Sequence, residues 1–366
     1  MLNPEKERGE VFDDEGIPTE TSLQQKKVED LVERHQNVYL GTEGNRPKPV
    51  LFRDKHIAFA KDAILSGFGA NYKSLDASQS WLHYWGFNAL DLLKFKLKPA
   101  AITAAIGTLS QCQNAKSGGY GGGPYQESHI MSTYAIVRAL CAIGTKEAYM
   151  SIDRAGVLKF LRSIKEPDGS FLSQIGGETD MRCVYCALST AALLNILTPD
   201  ILENAAEWIA SCQTYEGGFG GFPGNEAHGG YTYCALAALA AINRTDVIRN
   251  FRSLTAWLSS CQMGFEGGFH GRQNKLVDSC YSFWQGAGTA IAGNLAVNPH
   301  AYDSHENVVE TTKKKFNHAD KIMSPDRLIE YVLVCAQDER GGLRDKPGKY
   351  HFFHVYFIVH FFNDFL

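Results

Sequence analysis

Hydrophobic residues along this chain return every three or four positions over long stretches, and short polar, glycine-rich turns divide the stretches. The first such run starts near Thr21 and breaks where glycine and proline gather in GTEGNRPKP, residues that interrupt regular backbone. KHIAFAKDAILSGF, just after Arg53, has the period of an amphipathic helix. LDASQSWLHYWGFNALDLL predicts the next, with Ser78 or Asp76 as N-cap and Trp81 and Trp85 on one face. Those two indoles are either core or the wall of a cavity, and the pattern alone leaves both readings open.

From Leu109 onward the pattern repeats. LSQCQNAKSGGYGG, LRSIKEPDGSFL, IASCQTYEGGFGG, LSSCQMGFEGGFHG and LVCAQDERGGLRD each carry the end of one helix into a polar glycine turn. A second, more apolar helix follows each turn. Gly119, Gly169, Gly218 and Gly268 recur at intervals of 50, 49 and 50, and Gly342 follows 74 later because AYDSHENVVETTKKKFNHADK intervenes. That charged insert, about residues 300–321, reads as a solvated surface loop. Repeats of this length predict stacked helical hairpins. Helices such as YTYCALAALAAI and YSFWQGAGTAIAGN are apolar on nearly every side, so they belong inside a ring of more polar ones. No strand pattern stands out. The predicted fold is all-α, an α/α toroid (an α6–α6 barrel) forming one domain over residues 21–366, behind a disordered acidic lead-in of residues 1–20.

Composition narrows the class. A chain of 366 residues with 44% hydrophobic and 21% charged side chains is ordinary for a soluble globular protein. A net charge of −4 argues against nucleic-acid binding. No run nears the roughly 18 apolar residues of a membrane span, so no stable membrane insertion is expected. The polar N-terminus lacks the apolar centre of a signal peptide. Nine cysteines, an odd number scattered through apolar runs, do not form a disulfide framework, which implies a reduced, cytoplasmic protein.

The chemistry concentrates in EGGFHGRQNKLVDSCYSFW. Asp278 and Cys280 could hold zinc through a carboxylate and a thiolate, but cannot complete its shell. Ten or eleven residues past each second turn glycine stand His129, Asp180, His228 and Asp278, and twelve past Gly342 stands His354. Each lies near the start of an inner helix, so the five should ring one end of the toroid. A ligand-type residue at one phase of every repeat is hard to explain by packing and points to a functional mouth. Asp278, Cys280 and His354 then supply three zinc ligands and leave one position open, as a catalytic zinc requires. His228, Arg272, Lys275 and Tyr281 all donate hydrogen bonds and three of them can be cationic, which suits a diphosphate. Tyr185, Tyr231, Trp284, Trp81 and Trp85 would line an aromatic well beside them. A phosphate clamp at the rim of an aromatic well describes an isoprenoid diphosphate site. Zinc beside it describes activation of a sulfur nucleophile.

At these residues the chain resembles the β subunits of protein prenyltransferases, most closely those of protein farnesyltransferases, over about residues 25–356. LDASQSWLHYW, GGETDMRCVYCA, GGFGGFPGNEAHGGYTYC, GRQNKLVDSCYSFW and GGLRDKPGK carry the likeness. It implies that Asp278, Cys280 and His354 bind zinc, with His351 as a competing third ligand. It implies diphosphate contacts from His228, Arg272, Lys275 and Tyr281, the last two aiding catalysis. The isoprenoid wall would comprise Arg182, Tyr185, Gly229, Gly230, Tyr231, Cys234, Trp284 and Trp81. Trp81, Trp85 and Phe353 would meet the peptide, and Asp345 would help bind magnesium. Two departures stand out: Lys349 to His354 is one residue shorter than the family pattern, and Phe353 replaces a tyrosine.

The activity so implied is zinc-dependent farnesyl transfer from farnesyl diphosphate to the cysteine of C-terminal CaaX motifs, as in Ras-like small GTPases. The partner implied is a helical-repeat α subunit that adds a lysine to the diphosphate site. The full indole of Trp81 implies the fifteen-carbon lipid, because the family's geranylgeranyl-transferring members carry a small residue there. A geranylgeranyltransferase type I-like β subunit is the nearest alternative. A non-catalytic lipid- or partner-binding toroid is another, and a terpenoid cyclase would need a DxDD-type acid that the chain lacks.

Overall fold

The computed structural model describes residues 9–40, 49–66, 70–297 and 322–349, and the backbone of 351–352. Helix α1 (Glu20–Leu40) precedes a two-layered array. Its outer wall comprises α2 (Arg53–Ser66), α4 (Pro99–Ser110), α7 (Arg154–Ser163), α10 (Ala205–Ser211), α12 (Phe251–Ser260) and α14 (Pro325–Glu330). Alternating with these are the inner helices α3 (Gln79–Leu92), α5 (Ile130–Ile143), α8 (Met181–Leu193), α11 (Gly229–Ala241) and α13 (Cys280–Val297). Two short helices, α6 (Lys146–Met150) and α9 (Pro199–Leu202), bridge inner to outer positions. The inner helices pack in succession, α3 on α5, α5 on α8, α8 on α11 and α11 on α13. One apolar core runs through all of them, as expected of helices with little polar surface to give to water. This is the expected all-α toroid.

The glycine turns join neighbouring repeats as well as the two helices of each hairpin. In each of the first four turns an antiparallel bridge buries an aromatic ring completely: Tyr120, Phe171, Phe219 and Phe269 are all 0% exposed. The turn glutamine then reaches sideways. Gln113 donates to Asp153 O at 3.1 Å, Gln213 to Asn250 O at 3.1 Å and Gln262 to Ser324 O at 2.9 Å, each at the head of the next outer helix. Gln337 does the same for the first outer helix. Its Nε2 donates to Val50 O at 3.0 Å, and its Oε1 accepts from Phe52 N at 2.7 Å. Gly341 (φ 95°) sits against the backbone of Lys55 with no room for a Cβ, as Gly217 (φ 110°) sits against Ser253. The last turn therefore docks on the first wall by the rule that joins the other glutamine turns to theirs, the second turn using Lys165 to Glu203 O instead. These contacts join the last turn to the start of the first outer helix and so close the outer ring among the described residues.

Four of the five inner helices, α5, α8, α11 and α13, are started in one way. His129 Nδ1 accepts from Met131 N at 3.2 Å, Asp180 Oδ1 from Arg182 N at 2.7 Å, His228 Nδ1 from Gly230 N at 3.1 Å and Asp278 Oδ1 from Cys280 N at 2.9 Å. Capping satisfies a backbone donor that the first turn would leave orphaned. Helix initiation thus accounts for a polar residue at this phase of every described repeat. The phase, hard to explain by packing, therefore has a second explanation beside a functional mouth.

Several other expectations are adjusted. Helix α3 has Ser78 at its N-cap without a side-chain bond, while Asp76 accepts from Gln79 Nε2 at 2.7 Å. Residues 9–19 are held rather than free: Gly9 N donates to Gly264 O at 2.8 Å, Phe12 N to the Glu29 carboxylate at 3.0 Å, and Lys26 pairs with Asp14 at 2.8 Å. A short antiparallel ladder, β1 (Leu343–Arg344) with β2 (His351–Phe352), forms where no strand was foreseen. All nine cysteines are free thiols, and among the described residues no helix is long and apolar enough to cross a membrane. The insert at 300–321, Phe353 and His354 lie outside the described residues.

Candidate active site

The inner helices enclose a cavity of about 350 Å³. Of the predicted wall and peptide-contact residues, Trp81, Trp85, Arg182, Tyr185, Cys234 and Trp284 line it, and Cys280 opens onto the same space. Tyr231 does not; its ring packs 5.2 Å from that of His228 and lies under the Arg182 guanidinium. Gly229 and Gly230 begin α11, where Gly229 N donates to Gly271 O at 2.7 Å and ties the third turn to the fourth. A Cβ at Gly229 would strike the Gln285 side chain, which would have to move aside.

Tyr134, Tyr233 and Phe283 also line the cavity, and the candidate residues did not include them. The signal was present. Tyr134, Tyr185, Tyr233 and Phe283 each stand five residues after a capping residue. Each repeat therefore delivers one aromatic ring to the same level. Their centroids lie 5.4, 5.5 and 5.0 Å apart in succession, tilted or edge-on as aromatic pairs prefer. Hydroxyl contacts of 3.0 Å (Tyr134 to Tyr185) and 3.3 Å (Tyr185 to Tyr233) connect three of the rings. Trp81 closes the arc through Tyr134 at 5.9 Å and Trp85 at 5.6 Å.

At the rim, burial and the nearby Arg182 charge push the His228 imidazolium pKa down, so the ring is neutral near pH 7. Its Nδ1 accepts from Gly230 N, which puts the proton on Nε2. Nε2–H then points at Tyr281 Oη, 3.0 Å away. With its oxygen accepting, the phenol keeps its own proton for an external acceptor. Arg272 forms an ion pair with Glu226, and Lys275 is exposed on the same loop. Arg182 is held by its own helix cap, Asp180.

Asp278 and Cys280 stand together at the head of α13. Burial pushes the Cys280 thiol well above its ordinary pKa, and the Asp278 and Asp345 carboxylates add to this. Lys346 lies 3.6 Å from Asp278. The DKPGK loop is docked here through Ser279 N to Asp345 O at 2.6 Å. A thiol flanked by carboxylates is a donor set that a divalent cation would relieve. Among the described residues no three His, Cys, Asp or Glu side chains form a metal cluster, and His354, the expected third ligand, lies outside them.

Residues 51–362 match the family model of the prenyltransferase alpha-alpha toroid domain. A protein farnesyltransferase subunit beta from Arabidopsis thaliana is 37% identical, across 81% of this chain and 69% of its own. The protein of that name from Saccharomyces cerevisiae is 40% identical, across 85% and 68%. The solved structure of Candida albicans protein geranylgeranyltransferase-I complexed with GGPP superposes with a TM-score of 0.69 at 21% identity, over 84% of this chain and 90% of that one. At that identity the likeness concerns the fold.

Proposed function

The chain belongs to the prenyltransferase toroid family as a protein prenyltransferase β subunit, and we propose that it serves protein farnesyl transfer to C-terminal CaaX cysteines. One observation carries the reading: an aromatic cavity with Cys280 on its wall opens beside the hydrogen-bonded pair His228–Tyr281. The apolar well suits an isoprenoid tail, and the rim suits its diphosphate.

Chain residues account for the steps as follows. The tyrosine arc, Trp81 and Trp284 bury the prenyl chain and exclude water from its first carbon. Tyr281 O–H, its oxygen held by His228 Nε2–H, donates to the diphosphate, Arg272 exchanges Glu226 for a phosphate oxygen, and Lys275 adds a second cation. The peptide sulfur forms a bond to C1 as the C1–O bond breaks, and the diphosphate departs with the electron pair. Donors already oriented at that oxygen stabilise the growing charge without reorganising. Asp278, Cys280 and His354 would hold zinc, which supplies a lowered pKa to a bound thiol at neutral pH. Asp345 would serve magnesium on the diphosphate. A helical-repeat α subunit would complete the site, and the working location would be the cytoplasm.

The test is to purify the chain with its α subunit, measure zinc, and look for a farnesyl mass gain on a CaaX peptide. The expected result is about one zinc per heterodimer and a thioether product. A zinc-replete heterodimer that binds farnesyl diphosphate and modifies no CaaX peptide would refute the reading. Transfer of geranylgeranyl alone would favour the type I-like alternative.

A further inference from the structure

Arg138 is the only charged residue of α5, set in an otherwise apolar inner helix. Its guanidinium lies 5.8 Å from the Tyr84 ring centroid and 5.9 Å from that of Tyr134, and its Nε donates to Tyr84 Oη at 3.4 Å. Among the described residues no carboxylate pairs with it. A guanidinium inside a protein without an anionic partner is costly, and here two aromatic faces and a phenol oxygen offset the cost. Trp81 packs against both of those rings, at 6.1 Å from Tyr84 and 5.9 Å from Tyr134, as well as against Trp85 at 5.6 Å. Tyr84 is 1% exposed, so it backs the cavity wall without lining it. Contact thus runs from Arg138 through two phenol rings to the indole that borders the cavity.

We propose that Arg138 is a positioning residue for lipid length, holding Tyr84 and Tyr134 so that Trp81 stays fixed as the floor of the well. This rests on the isoprenoid reading above and deepens it. A longer lipid gains apolar burial with every added methylene, so a floor that yields admits it. An indole alone can swing to another rotamer. Packed on two rings that share one planar cation, it is braced on the side away from the cavity, because moving either ring breaks a stacking contact and, for Tyr84, a hydrogen bond as well. The planar guanidinium suits this role better than an ammonium would.

The test compares the full chain, co-expressed with its α subunit, as wild type, Arg138→Leu, Arg138→Lys and Tyr84→Phe. One CaaX peptide is used, with farnesyl and geranylgeranyl diphosphate in turn. The reading is the ratio of kcat/KM for the two lipids, which a general loss of stability does not move. In Arg138→Leu the preference for farnesyl should fall about tenfold, the scale of two cation–π contacts and one hydrogen bond. The farnesyl kcat should hold within about twofold, since no transition-state contact is touched. Arg138→Lys should restore part of the preference. Should Arg138→Leu fail to assemble, Tyr84→Phe removes only the hydroxyl and should shift the ratio in the same direction. A folded Arg138→Leu, or failing it Tyr84→Phe, with an unchanged ratio overturns the proposal while farnesyl transfer stands. A wild type that transfers neither lipid overturns both.

Discussion

Replacing Gln337 by alanine should weaken the ring at its closure far more than the same change elsewhere. Gln337 is 7% exposed and His56 0%. His56 Nδ1 accepts from Gly342 N at 3.1 Å, so its proton is on Nε2, facing Gln337 Oε1 at 2.8 Å. With the bonds to Val50 O and Phe52 N, the truncation removes a partner from three groups where α2 begins. Only the His56 imidazole of the three is fully buried, since Val50 and Phe52 are 65% and 36% exposed, so at about 1–3 kcal/mol for it and less for the two that water can reach, the loss is roughly 2–4 kcal/mol. Gln213 makes matching bonds to Asn250 O, Arg249 N and Asn250 N at an exposed junction, where water can replace them. There the loss should be only about 1 kcal/mol. Denaturant titration of both variants measures the difference, and hydrogen exchange at the Phe52 and Gly342 amides locates it. If Gln337→Ala and Gln213→Ala agree within about 1 kcal/mol, Gln337 does not hold the closure.

Other outcomes follow from the same geometry. Trp81→Thr should admit geranylgeranyl diphosphate while zinc content stays constant; a wild type already indifferent to lipid length would remove Trp81 from that role. Cys280→Ala and His354→Ala should each lose zinc on metal analysis while His351→Ala keeps it, and the reverse pattern for the two histidines would reassign the third ligand. Millimolar magnesium should accelerate transfer, and Asp345→Lys should abolish the dependence. Burial pushes the pKa values of His35, His56, His83 and His270 down. Below about pH 6.5 the unfolded chain therefore binds more protons than the folded one, so stability is complete above that pH and falls as pH drops. Denaturant midpoints at pH 7.5 and 5.5 check the sign.

How much of this could be read from the chain differs from element to element. The glycine period and the apolar second helices gave the two layers and their order, because local periodicity and burial agree there. Aligning the repeats also located the capping residues, but capping and metal binding select the same residue types, so their meaning stayed open. The aromatic arc was legible in principle at the fifth position after each cap, yet Phe and Tyr inside apolar helices look like ordinary core. Closure was not legible, since Gln337 and Val50 meet across 287 residues of chain. Nor was the pairing of Arg272 with Glu226, 46 positions apart, which changes Arg272 from a free cation to one a ligand must win. The tethering of residues 9–19 depends on a buried acceptor, Glu29, that composition cannot announce.

The shared capping geometry has a consequence for how such a site can be altered and how it could have arisen. In this hairpin array four of the five inner helices carry a capping polar side chain at the mouth end simply to begin the helix. The array therefore comes with a ring of acceptors, frozen in orientation before any ligand arrives, and new chemistry needs only an exchange among residues that cap. His129, Asp180, His228 and Asp278 are four such choices on one template. Alanine at any of them would confuse a lost helix start with a lost reactive group. Asparagine at Asp278 or His228 keeps the start and changes only the chemistry, so the ancestry of the site can be probed one exchange at a time.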